Sequence, residues 1–331
     1  MAMLSNLTVT EDEMGMRLDR WFKAHYPALG HGPLQKLLRT GQVRVDGKRI
    51  KTSFRVEPGM EIRVPPMAVE AAEVARKMGP RKPMPQKMDD AKVQELRDRV
   101  IYKDKEIIVF NKPAGLAVQG GTGTRVHLDG MLDALQFEAP ERPRLVHRLD
   151  KDTSGVLVLA RSRVAARALT AAFRDRTTRK IYWAVTVGCP SPTKGKISLK
   201  LAKGGTRGDE KMRADPETGQ NAVTLYAVLD EARPRLALVA LMPLTGRTHQ
   251  LRAHMLALGT PILGDGKYGG YDAFIDGIDL DKKLHLHARS LEIPKPSGGI
   301  LKVEAPLSPH MEKTMAALNF TVSVADPFPR D

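Results

Sequence analysis

Five consecutive apolar residues, Val156 to Ala160, lie between Gly155 and Arg161 and read as a buried strand. The stretch that feeds it, His147-Arg148-Leu149-Asp150-Lys151-Asp152-Thr153-Ser154-Gly155, is rich in residues that favour turns. A carboxylate, Asp150, therefore sits on a turn at the mouth of a strand, between Arg148 and Lys151. Such a mount holds a reactive acid rigidly beside positive charge. Asp150 to Gly155 also imitates the start of an EF-hand loop, but the twelfth position is Arg161 where a bidentate Glu is required, so calcium is excluded. A surface turn closed by a salt bridge is the bland alternative, and this segment alone does not separate the two.

The rest of the chain supplies the context. It has 331 residues, room for two domains, and 53 Lys plus Arg against 38 Asp plus Glu, a net charge of +15. That surplus points to a polyanion, nucleic acid before an anionic membrane. No apolar run reaches the roughly 18 residues of a membrane span. Residues 1–17 carry Glu11, Asp12 and Glu13 and lack the pattern of a signal peptide, and the single Cys189 offers neither a disulfide nor a Cys-x-x-Cys site. A reducing, cytoplasmic setting is expected.

Three segments are expected. In residues 16–65, Leu18, Trp21 and Phe22, then Leu34, Leu37 and Leu38, recur at helical spacing, and Thr40-Gly41 stops the second helix. Val43 and Val45 then alternate toward a turn at Asp46-Gly47. Between His31 and Arg55, seven Lys or Arg face one Asp, the footprint of a small RNA-binding face. Pro65, Pro66, Pro80, Pro83 and Pro85 alternate with charges, and residues 66–99 read as a flexible linker with one short helix at 69–77. Residues 100–325 form the large domain. Strands are predicted at 107–110, 156–160, 181–187, 222–229 and 236–241, and helices at 128–135, 163–175 and 250–258. Without regular βαβ alternation, the pattern favours an α+β fold: a mixed, largely antiparallel sheet with flanking helices.

Several further motifs could carry chemistry. Asn111-Lys112-Pro113-Ala114-Gly115 ends a strand, with Lys112 at a sheet edge where a phosphate could lie, although a structural role is favoured. Arg161 to Lys180 is a second basic run, leading to Tyr182, whose ring could stack on a base. In Thr245-Gly246-Arg247-Thr248-His249-Gln250-Leu251-Arg252, Thr248 is placed to cap a helix and Arg247 to reach a carboxylate. His249 and His254 are five apart, not the spacing of a zinc pair, and read as structural. His285 and His287 read as core. Gly264-Asp265-Gly266-Lys267-Tyr268-Gly269 satisfies Gly-x-Gly-x-x-Gly, yet no helix follows, so dinucleotide binding is excluded.

Taken together, residues 147–155, Asn111 to Gly115, Gly246 to Arg252 and the Gly-Asp-x-x-Tyr-Gly string resemble, in order, the RluA-type family of pseudouridine synthases. Leu34 to Lys48 and Pro58-Gly59-x-Glu61-Ile62 resemble an S4 RNA-binding domain. Ala117 to Gly123 looks most like the RluC branch, which modifies large-subunit ribosomal RNA. The resemblance implies conversion of uridine to pseudouridine, with Asp150 as the catalytic carboxylate. It implies substrate contacts by Arg148, Tyr182, Arg247 and Leu251, the first filling the gap left by a flipped base and Arg247 pairing with Asp150. RNA binding falls to Lys36, Arg39, Arg44 and Lys48. The reaction is an isomerisation, so no cofactor, nucleotide or metal is expected, and a monomer is. Rival readings are a synthase acting on tRNA or another RNA, a non-catalytic ribosome-associated S4 protein, and an N-glycoside hydrolase that would release uracil.

Overall fold

The computed structural model describes residues 5–66, 88–121, 124, 126–205, 211–232, 235–323 and 326–329. The chain divides into two compact units, Met1–Met84 and Pro85–Asp331.

In the first unit, α1 (Leu18–His25) and α2 (His31–Arg39) pack on a small antiparallel sheet. Its strands are β1 (Ser5–Thr8), β2 (Arg44–Val45) and β3 (Glu61–Val64), in the order β1-β3-β2. The helical spacing read from the sequence is the spacing that is buried: Leu18, Trp21, Phe22, Leu34, Leu37 and Leu38 join Val43, Val45 and Ile62 in one core. Helix α2 stops where Gly41 takes φ +71°. The main-chain N–H of Gln42 then reaches back to the carbonyl of Leu37 at 2.9 Å, an αL termination open chiefly to glycine. Asp46 and Gly47 both have positive φ, as the expected tight turn requires.

The second unit opens with α3 (Asp90–Asp98), capped by the Asp89 carboxylate, which accepts from the Lys92 N–H at 2.8 Å. Leu96 of this helix is buried in the core, so the C-terminal end of the segment expected to be a linker is ordered structure. The remainder, 67–87 with its expected helix, lies outside the described residues.

The strands that follow are β4 (Val100–Lys103), β5 (Ile107–Lys112), β6 (Arg144–Leu145), β7 (Ser154–Ala160), β8 (Arg179–Val187), β9 (Lys194–Gly204), β10 (Lys211–Ala214), β11 (Gln220–Ala232), β12 (Leu236–Pro243), β13 (Leu286–Pro294) and β14 (Ile300–Glu304). They form one mixed sheet in the order β10-β9-β11-β12-β8-β13-β7-β5-β4, with β14 paired to β13 and β6 to β7. The pairing is antiparallel except where His287 and Ala288 of β13 run parallel to Ser154 and Gly155 of β7. At this junction an added Cβ on Gly155 would lie 2.2 Å from the carbonyl oxygen of Ala288, and Gly155 has φ +104°. Only glycine lets the two strands approach there.

Alternation along the strands builds separate cores. Ile181, Trp183 and Val185 of β8 face one cluster with Leu236 and Leu238, while Ala184 joins Val239, Leu241 and Leu286 on the other side. Beyond the junction, β5 and β7 are covered by the 3₁₀ helix Leu128–Leu135 and by α4 (Arg163–Arg174), which buries Leu169. The helix α5 (Gln250–Ala257) brings Leu251 and Met255 onto the β12 side, and α6 (Pro309–Ala317) adds Met311. The fold is thus α+β, as expected. No described helix is long and apolar enough to cross a membrane.

Candidate active site

A cleft of about 350 Å³ opens where β7 and β8 meet the start of α5. His147, Arg148, Leu149, Asp150 and Thr153 line it from the turn before β7, Tyr182 and Lys180 from β8, and Arg247, His249, Leu251 and Arg252 from the entry to α5. Five sequence-predicted residues therefore converge from three separate segments: Asp150, Arg148, Tyr182, Arg247 and Leu251.

Asp150 is largely buried, with its side chain 20% exposed, and its loop is tied down at the next residue. The carbonyl of Lys151 accepts from the Gly115 N–H at 2.9 Å and from Lys112 Nζ at 2.8 Å. Lys112 does not project from a sheet edge. It is wholly buried, and its ammonium also donates to the carbonyls of Pro113 (2.9 Å) and Leu116 (2.8 Å). Burial pulls this ammonium down to about 7, while the charges of Asp152 and Asp150 act to keep its proton on. With three main-chain acceptors, Lys112 is a clamp on the loop and has no donor left for phosphate. The structural role favoured from the sequence is the observed one.

His147 is equally fixed. Its Nε2 accepts from the Val158 N–H at 2.8 Å, and its ring stacks on Phe173 with centroids 4.2 Å apart. Burial, then the nearby Lys180, holds this imidazole neutral, at about 3. Tyr182 packs against the hydrophobic clusters on either side of the sheet junction. Burial, then the Asp150 charge, raises its phenol, so it presents a protonated, flat wall. Arg148 is exposed, at the rim.

The entry to α5 departs from expectation in three ways. The Arg247 guanidinium donates from Nε to the Asn221 carbonyl at 3.1 Å and forms no pair with Asp150. Among the described residues, Asp150 instead meets His249, whose Nε2 is 3.8 Å from Oδ1. His249, read from spacing as structural, is thus a site residue. Thr248 does not cap the helix either: the N-cap position is His249 itself, with φ +48°. Gln250 organises the turn instead. Its Oε1 accepts from the Arg247 N–H (3.1 Å) and the Thr245 hydroxyl (2.6 Å), and its Nε2 donates to Val223 O (3.0 Å) and Thr224 Oγ1 (2.9 Å).

Arg252 is the guanidinium that acts on Asp150 through space. It is gripped at 2.8 and 2.6 Å by both oxygens of Asp265 in a buried fork. Burial opposes its charge, but the Asp265 bond and the charges of Asp265 and Asp150 outweigh that and raise it above its usual value. The sequence signal that could have found it was its place at the end of the motif that begins with Gly246.

The second basic run is less free than its composition suggested. Arg161 is buried and pairs with Glu138 at 2.7 Å, Arg174 with Asp175 at 2.8 Å, and Arg179 with Asp326 at 2.7 Å. In the first unit, Lys36 and Arg39 line a groove of about 490 Å³ with Gln35, Lys51, Thr52 and Ser53. Arg44 instead donates to the carbonyls of Gly41 (3.2 Å) and Gly47 (3.1 Å), and Lys48 is exposed on the turn outside the groove. Two of the four proposed RNA-binding residues therefore share a surface with Lys51, a residue the sequence did not single out. Among the described residues, no cluster of three His, Cys, Asp or Glu side chains has the arrangement to hold a metal ion.

Residues 106–257 match the family model of RNA pseudouridylate synthases, and residues 33–62 match that of the S4 domain. The ribosomal large subunit pseudouridine synthase C of Vibrio cholerae is 33% identical over 317 residues, covering 94% of this chain and 96% of that protein. The chain belongs to the RNA pseudouridylate synthase family. The protein of the same name from Escherichia coli K12 is also 33% identical, with the same coverage, and that from Pasteurella multocida is 35% identical over 94% of this chain and 93% of its own length. Among solved structures, human RNA pseudouridylate synthase domain containing 4 is 31% identical, with a TM-score of 0.59 over 69% of this chain and 96% of its own. The family assignment accounts for the order of the motifs. It also makes the cleft at Asp150 the place to look for chemistry.

Proposed function

We propose that this synthase converts uridine to pseudouridine in large-subunit ribosomal RNA, with Asp150 as the reacting carboxylate. The observation that carries the reading is the convergence of Asp150, Tyr182 and Leu251 on one cleft, beside the buried Arg252–Asp265 pair. The choice of RNA is supported by the names of the relatives that align along nearly the whole chain.

The isomerisation breaks the bond between N1 of uracil and C1′ of ribose, turns the base, and joins C5 to C1′. C5 then gives up its proton and N1 takes one, so atoms balance without any co-reactant. Asp150 serves this either by adding to C1′ or by removing the 2′ proton, and both roles need an oriented carboxylate. The uridine must leave its stack, at a cost of a few kcal/mol. On this reading Arg148, at the rim, occupies the gap, and Tyr182 offers its face to the base.

Asp150→Asn tests the assignment, because the amide keeps size and polarity but can neither attack carbon nor take a proton. Incubated with a transcript of large-subunit ribosomal RNA, the wild-type protein should form pseudouridine, and Asp150→Asn should bind the same RNA and form none. Substantial turnover by the variant would remove Asp150 from the reaction. Free uracil from the wild type would show a hydrolase instead, and an unmodified transcript beside modified tRNA would change the substrate.

A further inference from the structure

Two features are unexplained by the role of Asp150 alone: the histidine beside it and the Gly264-Asp265-Gly266-Lys267-Tyr268-Gly269 string. They are parts of one hydrogen-bonded chain. The carboxylate of Asp265, buried to 1% exposure, grips Arg252 and accepts from the Tyr268 N–H at 3.1 Å. The Arg252 guanidinium lies over the Tyr268 ring, 4.9 Å from its centroid. Tyr268 is therefore fixed from both sides.

The Tyr268 hydroxyl sets a proton position. Its oxygen accepts from the Met212 N–H at 2.9 Å, and it lies 3.0 Å from His249 Nδ1. With Met212 N–H on the oxygen, the phenolic hydrogen is free to bridge to Nδ1, an assignment in which Nδ1 accepts and the ring proton sits on Nε2. That Nε2–H is the atom facing Asp150 Oδ1 at 3.8 Å. The backbone contributes to the aim: His249 is held at φ +48°, ψ 24°, a conformation uncommon outside glycine, at the N-cap of α5.

We propose that His249 is a positioning residue for Asp150: a neutral imidazole, locked by Tyr268 in the Nε2–H tautomer, that orients the carboxylate for reaction. The inference rests on Asp150 being the reacting group. At 3.8 Å the contact is longer than a hydrogen bond, and a small turn of the Asp150 side chain on binding RNA closes it, as active-site bonds commonly tighten with substrate. A neutral donor suits the task. An imidazolium would clamp the carboxylate in an ion pair and blunt it as nucleophile or base. Around the ring, burial disfavours the charged form, as do Arg252 on α5 and Lys267 on the following turn; Asp150 and Asp265 oppose them, and the net shift is downward.

The test uses the full chain and the ribosomal RNA transcript, with kcat and KM measured from about pH 5 to 9 for the wild type, Asp150→Asn, His249→Ala, His249→Gln and Tyr268→Phe. His249→Ala should lose kcat on the order of 100-fold, the scale for a reacting group misplaced by an ångström, with KM little changed. His249→Gln restores an N–H near the Nε2 position and should regain a large part of the loss. Tyr268→Phe frees Nδ1 to take a proton beside Asp150, so the acid limb of its kcat profile should move to higher pH. Wild-type kcat in His249→Ala, with Asp150→Asn inactive, would overturn the inference while leaving Asp150 in place. So would a His249→Gln protein that melts like the wild type yet is no better than His249→Ala, or an unmoved acid limb in Tyr268→Phe. An active Asp150→Asn would overturn the underlying reading instead.

Discussion

The two units hold their charges in opposite ways. Around the groove of the first unit, Lys36, Arg39 and Lys51 stand exposed on the surface. Around the cleft of the second, the groups that frame Asp150 are tied: Arg252 to Asp265, Lys112 to three carbonyls, His147 to Val158, Gln250 to four partners. Solvated cations give affinity that follows the phosphate backbone and tolerates small movements. Reacting groups need placement to a fraction of an ångström, which only buried, satisfied networks provide. That contrast fits the proposed division of labour, in which the first unit holds RNA and the second acts on it.

Lys112→Met is the severest challenge to that contrast. It removes the clamp while keeping the length of the side chain, leaving the carbonyls of Pro113 and Leu116 without that donor at about 1–3 kcal/mol each, while the Lys151 carbonyl keeps the Gly115 N–H. The second unit should lose about 2–6 kcal/mol of stability on that scale, and turnover should fall further than stability because the Asp150 loop loosens. Thermal melting and single-turnover rates measure the two effects. A stable Lys112→Met protein with normal turnover would mean the loop needs no clamp.

Acid should separate the units next. Burial holds His147 at about 3 and His254, His285 and His287 at about 4, all in the second unit. Each binds a proton in the unfolded chain below its ordinary 6.5 but stays neutral in the folded unit until far lower pH. Their stabilising contribution is therefore complete above about 6.5 and is lost as pH falls from there toward about 4. The chain has two tryptophans, the buried Trp21 in the first unit and Trp183 in the second, so Trp183→Phe and Trp21→Phe variants report on each separately. Trp183 emission should show a melting temperature that drops across this window; a flat response would mean the buried histidines accept protons without cost.

The smallest effect is expected at the groove. Replacing Lys36, Arg39 and Lys51 with Ala should weaken RNA binding and reduce the slope of log affinity against log salt by roughly 0.7–0.9 for each phosphate that is no longer neutralised. Turnover at saturating RNA should be unaffected. An unchanged slope, measured in a salt titration, would show that the groove is only a solvated face.

Much of this was legible from residue patterns. The turn and strand around Asp150 announce themselves locally, and β7 is buried at every position. Helix α4 and the strands β8 and β12 follow from apolar spacing. What escaped has physical reasons. Strand β9 alternates lysine with apolar residues, Lys194 to Gly204, and its outward lysines mask the buried Ile197 and Leu201. Strand β13 is legible only at its start, where His287 reads as core and is fully buried; the rest mixes Arg289, Ser290 and Glu292 with its apolar residues. Helix α3 shares the charged, proline-flanked composition of a linker and is fixed by burying Leu96. In the site, motif order found the right segments but not the partners. Arg247 and Arg252 are five residues apart, and only the bend at His249 decides which of them looks toward Asp150 and which toward Asn221.

The parallel junction has a consequence for the order of assembly. The Ser154 hydroxyl meets His287 Nδ1 at 2.9 Å across 133 residues of sequence, and β13 lies in the sheet between β7, which follows Asp150, and β8, which carries Tyr182. Contacts so distant along the chain carry a high closure entropy and form after local ones. A chain emerging from the ribosome would fold β4 to β7 and β8 to β12 as two pieces, each with its own core, and still lack the strand that joins them. The cleft needs residues 286–294 between its two walls, so a chain lacking them should hold the carboxylate but not the pocket.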